Sequence, residues 1–252
     1  MSEATFDRGD TVLVLEEVGK AYRRYEHKPF LLRNLLQALI GRRQRPPELW
    51  PLRHVSFTAR RGEMIGVIGQ NGAGKSTLLR LIAGAAVPTE GHLAIRGRVA
   101  PLLALGAGFH PDMTGEECIE LNGTALGLSR RELQARHGDI VAFAELDRFV
   151  DTPVRFYSSG MLARLGFSIA VHTTPDVLLV DEVLAVGDHR FQVKCVERIQ
   201  ELQRRGTTIL FVSHDERAVA SLCERFLWID GGALRGDGAA AAVIADYVAS
   251  LG

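Results

Sequence analysis

The run Gly69-Gln70-Asn71-Gly72-Ala73-Gly74-Lys75-Ser76-Thr77 gathers residue types suited to one task, holding a polyphosphate. It fits G-x-x-x-x-G-K-[ST], the P-loop pattern. The glycines let successive backbone N–H groups turn toward an anion with no Cβ in the way. A helix beginning near Lys75 would add the positive end of its dipole. Lys75 supplies a charge for the β- and γ-phosphates, and the Ser76 hydroxyl is placed to ligate Mg²⁺. The plainer alternative is a glycine-rich turn that merely links a strand to a helix. The flanks favour the P-loop, because apolar Met64–Ile68 reads as a strand and Leu78–Ile82 as a helix. The motif specifies a nucleoside triphosphate with Mg²⁺ and leaves open what its energy drives.

Three further strings lie in the right order behind it. Val177-Leu178-Leu179-Val180-Asp181-Glu182 is an apolar strand that ends in two acids. Downstream of a P-loop, Asp181 would hold Mg²⁺ and Glu182 would act as general base on the attacking water. The adjacent carboxylates need different roles, since two of them aimed at one ion would repel. His214, after the strand Thr207–Val212, is placed to contact the γ-phosphate and help orient the water, although a lone histidine there is more often structural. Tyr157-Ser158-Ser159-Gly160-Met161 precedes a helix, where small residues can present N–H and hydroxyl donors to an anion.

These residues need a scaffold, and the hydrophobic pattern outlines one. Strands are expected at residues 11–18, 54–58, 64–68, 177–180, 207–212 and 225–229. The continuous apolar runs at 177–180 and 207–212 fit a parallel sheet covered on both faces. Residues 112–172 look mostly helical, with helical spacing at 131–144 and 161–171, and helices are expected again at 191–204 and 239–251. Alternating strands and helices argue for an α/β fold.

Composition excludes several classes. Lysine plus arginine balances aspartate plus glutamate at 30 each, so no global charge drives binding to nucleic acid or to a membrane. Cys118, Cys195 and Cys223 have no metal-ligand spacing and suit thiols in a reducing compartment. No run reaches the roughly 18 apolar residues of a membrane span, and the N-terminus has no apolar signal core. A cytosolic protein is the expectation, and any work at a membrane would need something else to hold it there.

Together the P-loop, the Tyr157–Met161 string, the Asp181-Glu182 pair and His214 resemble the ATPase subunits of ATP-binding cassette (ABC) transporters, from residue 11 to about 235. Leu102–Gly115, Tyr157–Ala170 and Asp181–Asp188 are similar to the polysaccharide exporters of the O-antigen and teichoic-acid type. The resemblance implies a P-loop NTPase of the ABC-ATPase fold, with a RecA-like core, an antiparallel β subdomain and a helical subdomain. Residues 11–110 and 173–235 would form the β subdomain and core, 111–172 the helical subdomain and 236–252 a terminal helix, with no C-terminal sugar-binding domain. It implies ATP hydrolysis with Mg²⁺. Gly69 and Asn71 through Thr77 would bind the phosphates, and Tyr22 would stack on adenine, with Tyr25 as a fallback. Ser158, Ser159 and Gly160 match the signature residues, which act on ATP held by a second copy of the chain. Asp188 matches the aspartate that communicates across that dimer. A separate transmembrane permease would carry a lipid-linked polysaccharide, with this chain on the cytoplasmic face of the cytoplasmic membrane and no nucleic acid involved. One departure is the absence of the glutamine that most relatives carry near residues 99–105, where this chain has Leu102, Leu103, Ala104 and Leu105.

Residues 24–50 are similar to an N-terminal insertion of that exporter group. Phe30–Ile40 has apolar pairs four apart, and seven basic residues from Arg23 to Arg45 surround it. It could be a solvated amphipathic helix, or a lid whose arginines meet lipid headgroups or the pyrophosphate of a lipid-linked sugar. Two competing classes remain: a mechanical ABC ATPase acting on DNA or ribosomes, and a P-loop kinase or GTPase. The first usually carries two cassettes or a long coiled coil, and the second would leave the signature string unexplained.

Overall fold

A computed structural model describes residues 10–23, 48–102, 108–181, 187–212 and 219–251. Strand β1 (Thr11–Arg23) lies between β2 (Glu48–Arg60) and β4 (Glu90–Ile95) in an antiparallel three-stranded sheet. Along β2, Val55, Phe57 and Ala59 are buried while Ser56, Thr58 and Arg60 are exposed, the alternation of a sheet with one dry face. β2 begins at Glu48 rather than at His54, because Arg23 and Tyr22 of β1 pair with Glu48 and Leu49. Backbone pairing recruits a stretch whose own side chains gave no strand signal. The proposed insertion helix at Phe30–Ile40 lies outside the described residues.

The second sheet has the order β5-β6-β7-β3-β8-β9, formed by Val99–Leu102, Val177–Asp181, Thr208–Val212, Met64–Ile68, Arg225–Asp230 and Ala233–Ala239. The first five strands run parallel, and β9 closes antiparallel on β8 through Gly231-Gly232, both at positive φ. The central strands are dry on both sides. Ile65, Val67, Leu179, Leu210 and Val212 face the core shared with the antiparallel sheet and helix α1 (Lys75–Ile82). Ile68, Leu178, Val180, Ile209 and Phe211 face α4 (Ser159–His172), α5 (His189–Arg204) and α6 (Ala240–Leu251).

Helices α2 (Gly115–Ala125) and α3 (Arg130–Ala144) form a third layer. Both begin with capping boxes, Thr114 with Glu117 and Ser129 with Glu132. Helix α4 joins this layer to the sheet. Its Leu165 and Ile169 pack on α2 and α3, while Phe167, Ala170 and Val171 pack on the sheet side. Movement of the third layer relative to the sheet must therefore pass through α4.

Candidate functional site

β3 runs between β7 and β8, so the loop that leaves Ile68 opens at the carboxyl edge of a parallel sheet, where α/β folds place ligands. Its path requires glycine at two positions. Gly69 has φ 147°, and a Cβ there would collide with the Ile229 carbonyl oxygen. Gly74 has φ 114°, and a Cβ there would collide with the carbonyl of Pro51. Gly74 is also the N-cap of α1, and no side chain caps the helix. The first amides of α1 are thus left for a ligand, and the helix dipole favours an anion.

Lys75 is 6% exposed, and its Nζ donates to the carbonyls of Gly69 at 2.6 Å and Gln70 at 3.0 Å. The ammonium is held against the loop's own backbone, within the turn that a phosphate would occupy. A cavity of about 260 Å³ is lined by Asn71, Gly72, Gly74, Lys75, Ser76 and Thr77 together with Pro51, Asp181 and Val212. Asp181 is the last residue of β6 and pairs in register with Val212 of β7, which carries its carboxylate to the cavity from two strands away.

The structure thus brings together Asn71, Gly72, Gly74, Lys75, Ser76, Thr77 and Asp181. Gly69 and Ala73 contribute differently: Gly69 holds the lysine, and Ala73 is buried in the core beneath the loop. Tyr22 does not line the cavity. It is 37% exposed near the end of β1, with the Lys20 ammonium 5.2 Å from its ring centroid. Glu182, His214, Tyr25 and residues 103–107 lie outside the described residues. Leu102, at the position where a glutamine was sought, is fully buried in β5 and belongs to the core.

The donor set fits Mg²⁺. A serine hydroxyl and a carboxylate are hard oxygen ligands, and Mg²⁺ takes only one or two of these, completing its shell with phosphates and water. Among the described residues no cluster of three histidines, cysteines or acids could form a soft-metal cage.

Ser158 and Ser159 are exposed at the other end of the molecule's chemistry, and none of Ser158, Ser159 and Gly160 lines the cavity. Ser158 is the N-cap of α4, its hydroxyl accepting from the Met161 N–H at 3.2 Å. Tyr157 anchors this turn. Its hydroxyl donates to the Phe149 carbonyl at 2.6 Å, and burial, with the charges of Cys118 and Asp151, pushes its pKa up to about 12. Asp188 caps α5 by accepting from the Phe191 N–H at 2.9 Å, a bond that, with Arg164 beside it, holds the carboxyl below its usual range. Sequence reasoning missed Pro51 and, although it named Tyr157 within the signature string, gave that residue no role. Tyr157 had a readable signal, an aromatic directly before the small residues, whereas Pro51 reaches the cavity only through the fold.

A larger recess of about 630 Å³ opens elsewhere, lined by Arg60, Arg61, Glu63, Gln203 and Arg225 among others. Its Arg225 is engaged by Asp237 and Glu63, and among the described residues that line it none belongs to a helix start or a phosphate loop. Converging amides, a buried lysine and hard oxygen ligands single out the smaller cavity instead.

The family model described as ABC transporter matches residues 52–185. The chain is 47% identical over 243 residues to the O-antigen export system ATP-binding protein RfbB of Klebsiella pneumoniae, covering 94% of this chain and 97% of that protein. It is 41% identical over 233 residues to the teichoic acids export ATP-binding protein TagH of Levilactobacillus brevis, covering 92% of this chain and 63% of that one. In fold it is similar to a solved ATP-binding subunit of an ABC transporter, with TM-score 0.76, 23% identity and 94% of each chain covered. It is also similar to the dimeric cassette MJ0796 in a post-hydrolysis state bound to ADP and Pi, with TM-score 0.72, 22% identity, and 90% of this chain and 98% of that one covered.

Proposed function

We infer the function from one premise: this chain belongs to the ABC transporter family, as an ATP-binding subunit. It is an ATPase of that class. Its work is to power export of a lipid-linked polysaccharide of the O-antigen or teichoic-acid kind through a separate membrane permease, acting as a head-to-tail dimer at the cytoplasmic face. Similarity along nearly the whole chain to the O-antigen export subunit supports the substrate class. Among the described residues no helix is long and apolar enough to cross a membrane, which fits a subunit that reaches lipid through its permease.

The observation that carries the mechanism is that the P-loop cavity lacks the signature residues. Ser158 and Ser159 sit exposed and Gly160 half-buried at the start of α4, and none of them lines it. In a head-to-tail pair, each copy's α4 start covers the other copy's phosphate cavity, so two ATP molecules are enclosed. The α1 amides and Lys75 grip the β- and γ-phosphates, and Lys75 exchanges the carbonyls of Gly69 and Gln70 for phosphate oxygens. Tyr22 supplies a face for adenine. Ser76 and Asp181 would hold Mg²⁺, which offsets negative charge on the phosphates. Glu182 takes the proton of the attacking water as its oxygen bonds to the γ-phosphorus and the bond to ADP breaks. His214 orients the γ-phosphate and the water. Loss of the γ-phosphate removes the contact that holds the copies together, and the pair opens.

The test is to tag the chain, extract membranes in mild detergent and identify what co-purifies. The expected partner is a polytopic permease, and cells carrying Lys75→Ala retain that complex but accumulate lipid-linked polymer on the cytoplasmic side. Purification without a membrane partner, or normal surface polymer in the Lys75→Ala cells, would refute the exporter reading.

A further inference from the structure

Helix α4 is apolar along most of its length, and Arg164 is its one arginine. The side chain is only 18% exposed, and its guanidinium ties α4 to two other helices at once. Nη1 donates to Glu145 Oε2 at 2.8 Å, at the end of α3. Nη2 donates to Asp188 Oδ2 at 2.7 Å, at the N-cap of α5. The guanidinium also stacks on Phe191 of α5, 4.8 Å from the ring centroid. The backbone closes around it. Gly187 has φ 74°, and a Cβ there would come within 3.2 Å of Arg164 Nε.

Glu145 ends α3 as its C-cap, its N–H donating to the carbonyls of Ala142 and Val141. It is a non-glycine residue in the left-handed region, at φ 60° and ψ 41°. Such a backbone persists only where its surroundings fix it. Here the carboxylate is gripped by Arg164 and by Lys194 of α5, whose Nζ also donates to the Phe143 carbonyl at 2.9 Å. Asp188 makes two separate bonds, Oδ1 to the Phe191 N–H and Oδ2 to Arg164.

We propose that Arg164 is a positioning residue that locks the signature end of α4 to Asp188, so that both are presented to a second copy as one rigid half-site. It touches no nucleotide and acts through Asp188 and through the angle of α4. A planar guanidinium suits this role because it can serve two carboxylates and an aromatic face together, which a lysine cannot. The proposal rests on the dimer reading above. Its consequence is a division of labour: nucleotide binding by a single copy does not depend on Arg164, whereas closure of the pair does.

The experiment uses the chain with Glu182→Gln, which is expected to retain ATP and close without turnover. Arg164→Met keeps the stem against Phe191 and removes both ion pairs, and Arg164→Lys keeps the charge. Binding of a fluorescent ATP analogue to the single copy is expected to change less than twofold in both. The ATP-dependent association constant of the pair should fall about tenfold or more in Arg164→Met, the scale of coupling between linked sites, and recover in part in Arg164→Lys. Glu145→Gln, an exposed change safe for folding if Arg164→Met is not, should give an intermediate fall, and combining it with Arg164→Met should add little. Unchanged association in Arg164→Met, or an equal loss of single-copy ATP binding, would overturn the proposal. Failure of the Glu182→Gln parent itself to pair would instead refute the dimer reading.

Discussion

Lys75 decides the chemistry at the smallest scale. Its charge is buried, and two backbone carbonyls 2.6 and 3.0 Å away hold it in the loop. Those bonds keep the ammonium solvated by protein, so for the proposed exchange with phosphate the lysine is pre-positioned and needs no search on binding. Replacing it by alanine removes a charge-assisted contact to phosphate, worth about 1.5–3 kcal/mol, or roughly ten- to a hundredfold in affinity. Titration of the Lys75→Ala chain with ATP should show that loss, while thermal unfolding changes little. Retained affinity would mean that the α1 amides alone hold the nucleotide. The P-loop residues were legible in the sequence because their chemistry is local: glycine spacing and a helix start suffice. Arg164 was not legible, because its partners Glu145 and Asp188 lie on other elements and only folding brings them to it.

Among the elements, α4 couples the two kinds of packing. One flank belongs to the helical layer and the other to the sheet, and its last turn carries His172, 8% exposed. The His172 Nδ1–H donates to the Ser168 carbonyl at 2.7 Å, and the ring lies edge-on to Phe143. Burial lowers the pKa of this histidine below its ordinary 6.5, and Arg198 and Arg136 act in the same direction. The unfolded chain therefore takes a proton near pH 6.5 that the native chain refuses, so this contribution to stability is present above that pH and is lost as pH falls. The melting temperature should drop from pH 7 to pH 5, and His172→Gln should flatten that slope. An unaltered slope would place the acid sensitivity elsewhere. At this scale the sequence was partly legible. The strands β3, β6, β7 and β8 show in it as apolar runs, and so do helices α3 to α6. Strands β4 (Glu90–Ile95) and β9 (Ala233–Ala239) do not, because they are half-exposed and glycine-bearing, and their neighbours' hydrogen bonds define them.

On the function proposed above, the whole molecule carries two half-sites on one frame. The phosphate cavity sits at the carboxyl edge of the parallel sheet, and the small residues Ser158–Gly160 sit at the head of α4, outside that cavity. In the function proposed above, completion by a second copy turns a nucleotide-binding fold into a machine, since binding energy can then drive closure and hydrolysis can reverse it. The sequence reading of function ran ahead of the geometry for a physical reason: motif order suggests both half-sites, and the cavity's lining shows that Ser158, Ser159 and Gly160 stand outside it. The most direct test places the Glu182→Gln chain in saturating ATP and measures its mass in solution by light scattering, with and without Ser158→Arg. An ATP-dependent doubling of mass is expected, abolished by Ser158→Arg with single-copy ATP binding intact. A chain that stays single at nucleotide saturation, or that pairs equally well with arginine at position 158, would contradict the shared site.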